Sequence, residues 1–232
     1  MISFTNVSKV YAKQAVLDIL LLEIPKGQTF GLVGNNGAGK TTMFSCLLDL
    51  IKPSKGVVKN NNVNVRECED WKSFTSAYLD ESFLIGYLMP EEYFYFIGEL
   101  RGVSKREVDR FLNQFEDLFN GEILKGKKYI RDLSKGNQKK VGIVAALIGE
   151  PEVIILDEPF ANLDPTTQIR LKKIIKKLSQ DRNITVLISS HDLQDVTEVS
   201  ERIVLLEKGK VVRDIKTSKE TLKELESYFT KD

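Results

Sequence analysis

At 232 residues the chain can bury a substantial core and suits one large domain or two small ones. Its 42% apolar and 29% charged residues are ordinary for a soluble globular protein, and a formal charge of +1 excludes a global field that would draw it to nucleic acid or an anionic membrane. The longest apolar runs, such as 141–148, fall far short of the ~18 residues a membrane span needs, and MISFTNVSKVYAK has no basic lead before an apolar targeting core, so a cytosolic address is predicted.

Ile2 to Val7 and Ala15 to Leu22 have the β-branched and apolar content of strands, and Pro25-Lys26-Gly27 marks a turn before a strand over Thr29 to Val33. A helix over Thr41 to Ile51 ends before Pro53, and a short strand covers Gly56 to Val65. Between Glu91 and Phe119 the pattern changes. Phe94, Ile97 and Leu100, then Val108, Phe111, Leu112, Phe115 and Phe119, recur at three- and four-residue steps, which predicts amphipathic helices and an inserted helical region. Gln138 to Ile148 reads as a further helix. EVIILDEP is a short apolar strand ending in acids, Pro165 to Ser179 is helical, Ile184 to Ser190 is a strand, and RIVLLEKGKVVRD is a hairpin turning at Lys208-Gly209. Strands alternating with helices on both sides of the insertion imply a largely parallel α/β sheet. Cys46 and Cys68 match no metal-ligand spacing and read as two reduced thiols.

The order strand, GNNGAGKT, helix fits a phosphate-binding loop, with Gly34 and Gly39 bracketing Asn35, Asn36, Gly37 and Ala38, and Lys40, Thr41 and Thr42 following. Such a loop curls with its N–H groups inward, and a Cβ would block phosphate oxygens from close approach. The helix that follows adds unpaired N–H groups and a positive dipole end. Lys40 is expected to reach the β and γ phosphates and the Thr41 hydroxyl to hold Mg²⁺. An ordinary glycine-rich turn is the bland alternative. In VIILDEP, four apolar residues carry Asp157 to a strand end, where its carboxylate suits Mg²⁺. The adjacent Glu158 suits a general base for an attacking water. His191, the single histidine, stands at the end of the strand ITVLISS. In doubly wound sheets that end borders the ligand crevice, so its imidazole can meet a γ-phosphate.

Together with LSKGN at 133–137 and ANLD at 161–164, these motifs occur in an order that resembles the nucleotide-binding domain of ABC transporters over nearly the whole chain. The resemblance implies a P-loop NTPase (RecA-like) core with a mostly parallel sheet, an N-terminal antiparallel β subdomain and an inserted α-helical subdomain. The core would span 1–82 and 151–232, and the insertion 83–150. It implies an ATPase using ATP and Mg²⁺ that works as a homodimer or heterodimer of cassettes, with two ATP molecules sandwiched head to tail. Ser134 and Gly136 of one subunit would face the γ-phosphate held by the other, and a helix start at the signature segment gives that role a physical basis. Ser134 also reads as a plain helix cap. Tyr11 matches the ring that stacks on adenine, and Asp164 the loop that touches the opposite subunit, although Asp164-Pro165 is a helix-start signal too. Glu81 stands where the family places a glutamine that contacts the metal, Lys135 where it has glycine, and Asn137 where it has glutamine.

A transport role would require separate transmembrane permease subunits, with the chain peripheral on the inner face of the cell membrane and no nucleic acid as partner. The apolar cluster Phe83, Leu84, Ile85, Tyr87, Leu88, Met89 and Phe94 is the expected docking surface for a partner helix. Lys172-Lys173 and Lys176-Lys177 read as a solvated basic face. The resemblance is closest to exporter-type cassettes. A non-transport cassette ATPase and a low-turnover nucleotide sensor remain as alternatives.

Overall fold

The computed structural model describes residues 1–124, 126–180 and 184–230. Strands β1 (Ile2–Tyr11) and β2 (Gln14–Ile24) form an antiparallel hairpin, followed by β3 (Thr29–Val33) and helix α1 (Lys40–Leu47). The expected single strand over 56–65 is instead a hairpin, β4 (Lys55–Asn60) and β5 (Val63–Asn64), because Asn61 and Asn62 both take left-handed backbone. Asparagine tolerates that region better than most residues, which makes Asn-Asn a turn. Helix α2 (Trp71–Phe74) and β6 (Thr75–Tyr78) follow, then a 3₁₀ turn at Glu81–Phe83.

The helical region comprises α3 (Pro90–Leu100), α4 (Lys105–Asn113), α5 (Glu116–Phe119) and α6 (Lys135–Ala146). Proline opens α3 at its first position, and α4 starts on a capping box in which Ser104 and Glu107 satisfy each other's backbone N–H. The chain then runs through β7 (Val153–Leu156), α7 (Pro165–Leu178), β8 (Thr185–Ser190), α8 (Leu193–Val199), β9 (Arg202–Glu207), β10 (Lys210–Lys216) and α9 (Thr221–Phe229).

Two sheets result. One is antiparallel with order β2-β1-β4-β5. The other has order β10-β9-β3-β8-β7-β6, parallel throughout except for the edge pair β9–β10. Every residue of β3, β7 and β8 is buried, as expected of parallel strands covered on both faces. Alternation within β7 divides the core. Ile154 and Leu156 join the cluster built with α3–α7, whereas Val153 and Ile155 join Phe4, Phe30 and Phe44 beneath the antiparallel sheet.

Phe94 is completely buried, its ring 5.9 Å from that of Phe119, so it belongs to the core and not to a docking surface as the sequence suggested. The opposite holds for Leu100, 68% exposed at the end of α3, because two three-residue steps carry it about 120° round the helix from Phe94. Lys172 is also misread by the run of lysines around it. Its ammonium lies 2.9 Å from Asp195 and 3.1 Å from Glu198, tying α7 to α8, while Lys173, Lys176 and Lys177 are exposed.

Helix α6 lies tight against β6 at Gly142, where an added Cβ would stand 2.3 Å from the Tyr78 ring. Overpacking of this kind costs about 1–3 kcal/mol. Gly142→Ala is therefore expected to lower the Tm by about 2–4 °C per kcal/mol, measured by calorimetry; an unchanged Tm would show that α6 can shift freely away from the sheet.

Candidate active site

The C-terminal ends of β3, β7 and β8 lie side by side, and each delivers one part of the site. From β3 the chain enters the loop 34–39. Gly39 there has φ of 108°, and a Cβ on it would meet the Val16 carbonyl at 2.6 Å, so a side chain is excluded twice. Asn35, Asn36 and Gly37 form an exposed rim, Ala38 is buried, and the Ala38 N–H closes the loop on the Asn35 carbonyl at 3.0 Å. The β9–β10 turn braces it from below, with the Gly209 N–H donating to the Ala38 carbonyl at 2.9 Å. No side chain caps the N-terminus of α1, which leaves backbone N–H groups and the dipole end for an anion. In contrast, Ser134 caps α6 by accepting from the Asn137 N–H, and Asp164 caps α7 by accepting from the Thr167 N–H.

Lys40 is buried, and its ammonium donates to the Gly34 carbonyl at 2.6 Å and pairs with Glu158 Oε1 at 3.2 Å. Thr41 Oγ1 donates to Asp157 Oδ2 at 2.6 Å, while Ser189 Oγ donates to Asp157 Oδ1. Burial pushes the Asp157 carboxyl above its ordinary range, and the Ser189 and Thr41 hydroxyls and the more distant Lys40 only partly offset this. Thr41 and Asp157 thus supply adjacent hard oxygen ligands around an under-compensated buried anion, a donor set that fits Mg²⁺. Bound there, the ion would neutralise charge on the β and γ phosphates.

Glu158 is held on all sides. Its backbone takes φ of 47°, unusual for a side-chain-bearing residue and characteristic of functional turns. Its N–H donates to Ser189 Oγ at 3.0 Å, and its Oε2 meets His191 Nδ1 at 2.8 Å and the His191 N–H at 3.3 Å. Because a carboxylate only accepts, Nδ1 carries a hydrogen in this contact. The sequence placed Lys40, Thr41, Asp157, Glu158 and His191 in one site, and the structure brings these five together.

Gly34 to Gly39 and Thr42 make up the loop and the start of α1, and the remaining sequence-derived residues make no hydrogen bond or ion pair with these five among the described residues. Glu81 accepts from the Tyr78 hydroxyl at 2.9 Å. Tyr11 ends β1 and is 48% exposed, with the Lys9 ammonium 4.7 Å over its ring. A Cβ on Gly136 would lie 3.5 Å from the Asn162 carbonyl, so the signature segment sits beside the loop leading to Asp164. Among the described residues no hydrogen bond or ion pair joins Ser134, Gly136, Asp164 or Tyr11 to the loop 34–42 within one chain. Two contributors escaped the sequence reading. Ser189 is fully buried beneath both carboxylates, and Lys139 donates to the Glu158 carbonyl at 2.8 Å. The sequence signal for Ser189 is a polar residue at the end of an apolar strand, and Lys139, in the polar first half of α6, has none.

The family profile described as ABC transporter matches residues 17–161, more than half of the chain and the whole of the loop-to-Glu158 machinery. The chain belongs to the ABC transporter family as an ATP-binding cassette. It is 35% identical to the uncharacterized ABC transporter ATP-binding protein YhaQ of Bacillus subtilis, covering 100% of this chain and 74% of that one. Identity is 32% to the bacitracin transport ATP-binding protein BcrA of Enterococcus faecalis, over 92% of this chain and 68% of that protein. It is 30% to the methionine import ATP-binding protein MetN 1 of Bacillus thuringiensis, over 92% and 66%. The post-hydrolysis dimer of the ATP-binding cassette MJ0796 bound to ADP and Pi superposes with a TM-score of 0.83 at 25% identity, over 94% of this chain and 99% of that one. No helix among the described residues of the cassette is long and apolar enough to cross a membrane.

The raised Asp157 pKa has a stability consequence. A group whose folded pKa lies above its unfolded value contributes stability below the unfolded pKa and loses it as pH rises through the folded one. At neutral pH the nucleotide-free cassette is therefore weakened by ionised Asp157. Asp157→Asn is expected to raise the Tm at neutral pH while abolishing the further rise that ATP with Mg²⁺ gives the native chain; a lower Tm without nucleotide would contradict this electrostatic reading.

Proposed function

We propose that the chain is the ATP-hydrolysing motor subunit of a transporter, driving separate membrane permease subunits by ATP-dependent dimerisation. The observation that carries this reading is Glu158. Its carboxylate stands between Lys40, the phosphate-binding cation, and His191, where it can accept a proton from a water attacking the γ-phosphate. In that reaction Lys40 leaves Glu158 for the phosphates, and the freed carboxylate orients the water. Thr41 and Asp157 would hold Mg²⁺, and Glu81, from the 3₁₀ turn after β6, would offer it a further carboxylate oxygen. His191 positions the γ-phosphate, and Tyr11 exchanges its Lys9 contact for adenine.

Dimerisation is supported by what one chain leaves unfinished. Ser134, Gly136 and Asp164 lie on neighbouring segments yet, among the described residues, make no hydrogen bond or ion pair with their own phosphate loop, so a second cassette would use them. Lys135, exposed at the start of α6, adds a cation to that face. A pair of identical cassettes or of two related ones satisfies this geometry equally.

The permease contact is assigned to the cleft of about 260 Å³ between the 79–84 turn and α3, lined by Leu79, Phe83, Leu84, Ile97 and Leu100. Phe83 is 56% exposed and Tyr87 72%, apolar area that a partner helix would cover. Docking there makes the cassette peripheral to the inner face of the membrane. The region 83–150 then acts as the inserted helical subdomain, carrying force between this cleft and the signature segment. Export is our reading of direction, supported by overall resemblance to exporter-type cassettes.

Steady-state ATP hydrolysis and size-exclusion chromatography of native protein beside Glu158→Gln test the proposal. Turnover in the native chain, a fall of about 10²-fold or more in the variant and an ATP-dependent dimer of that variant are expected. Equal turnover in both, or a variant that stays monomeric with saturating ATP and Mg²⁺, would exclude the motor mechanism.

A further inference from the structure

Lys139 sits on α6, five residues beyond Ser134, and is only 5% exposed. Burying an ammonium is costly unless it is paired or hydrogen-bonded. Here burial lowers its pKa, and the fields of Glu81, Glu158 and Asp157 oppose that shift. Its hydrogen-bond partner is not a carboxylate but the main-chain carbonyl of Glu158, at 2.8 Å. A methionine or leucine would fill the same space without that penalty, so the amine is there for what it holds. The neighbouring Lys140 serves another face, 4.0 Å from Glu122.

What it holds is a strained turn. At φ of 47° the Glu158 backbone needs support from outside the turn to persist. Both of its peptide groups receive that support from other elements: the N–H from Ser189 on β8 and the carbonyl from Lys139 on α6. Backbone orientation at this residue decides where the carboxylate points, and therefore whether it lies between Lys40 and His191.

We propose that Lys139 is a positioning residue for hydrolysis: through the Glu158 carbonyl it sets the aim of the general base, and because it stands on the signature helix it ties that aim to the segment offered to a second cassette. The coupling is short. Five residues of α-helix span about 7.5 Å, so a displacement of the Ser134 end reaches the Glu158 peptide through one rigid rod. The inference rests on the hydrolytic reading above.

The test compares native protein, Lys139→Met and Lys139→Arg in two readouts. In steady-state hydrolysis, Lys139→Met should lower kcat by about ten- to a hundredfold, the scale of an ångström-sized misplacement, with KM for ATP within about twofold, and Lys139→Arg should recover most of the loss. In ¹H–¹⁵N spectra the single histidine gives one imidazole set. Its Nδ1–H signal, held by Glu158, should persist in native protein and Lys139→Arg and be lost to solvent exchange in Lys139→Met. An unchanged kcat with an unchanged Nδ1–H signal in Lys139→Met overturns the inference, as does a loss that arginine cannot recover in either readout. Native protein without turnover, but with the Nδ1–H signal lost on Lys139→Met, would leave the positioning role standing and remove the hydrolytic function instead.

Discussion

Two adjacent carboxylates at the end of one buried strand cannot both be accommodated unless cations or hydrogen-bond donors meet them, and this constraint organises the molecule. Asp157 is met by the hydroxyls of Thr41 and Ser189, and Glu158 by Lys40 and His191. The partners come in pairs from two segments, Lys40 and Thr41 from the start of α1 and Ser189 and His191 from the end of β8. The compensation is incomplete at Asp157, whose carboxyl is raised above its ordinary range, and the Lys40–Glu158 pair, largely withdrawn from water, is a weak source of stability once desolvation is counted. A site in this condition suits a polyanion with a divalent cation, since phosphates would take Lys40 and the metal would take Asp157 and Thr41.

The fold serves this constraint by making the loop floor rigid. Gly39 and Gly209 both approach the Val16 carbonyl too closely to carry side chains, and the Gly209 and Asp18 N–H groups knit the β9–β10 turn to the loop and to β2. The antiparallel sheet thereby supports the phosphate loop from outside the parallel one. On the other side α6 presses on Tyr78 at Gly142 and reaches Glu158 with Lys139. Glu158 is thus joined to the helical region by direct contact, and in the proposed dimer the signature segment would stay in mechanical register with the site of its own chain.

Much of this was legible in the residues, for an identifiable reason. The buried strands are continuous apolar runs that end in glycine, acid or histidine, and such punctuation is local. Short elements fared worse. Helix α8 spans only Leu193–Val199 and α9 buries little beyond Thr221 and Leu225, so neither carries enough periods to stand out. What sequence could not show is partnership across long separations. Ser189 lies 32 residues from Asp157, Lys139 lies 19 from Glu158, and Lys172 reads as one of a solvated run until Asp195 and Glu198 are seen beside it. Phe94 and Leu100 make a related point for packing: at 3.6 residues per turn they stand about 120° apart on α3, and the neighbouring helices cover Phe94 alone.

The central claim is that Lys40 is held in readiness by Glu158 and the Gly34 carbonyl and is handed to phosphate when ATP arrives. Isothermal titration calorimetry of ATP with Mg²⁺ against native protein and Lys40→Met measures that transfer directly. The account predicts one site per chain and an affinity loss of about ten- to a hundredfold in the variant, the worth of a charge-assisted hydrogen bond at about 1.5–3 kcal/mol. Equal affinity in the two proteins would contradict it.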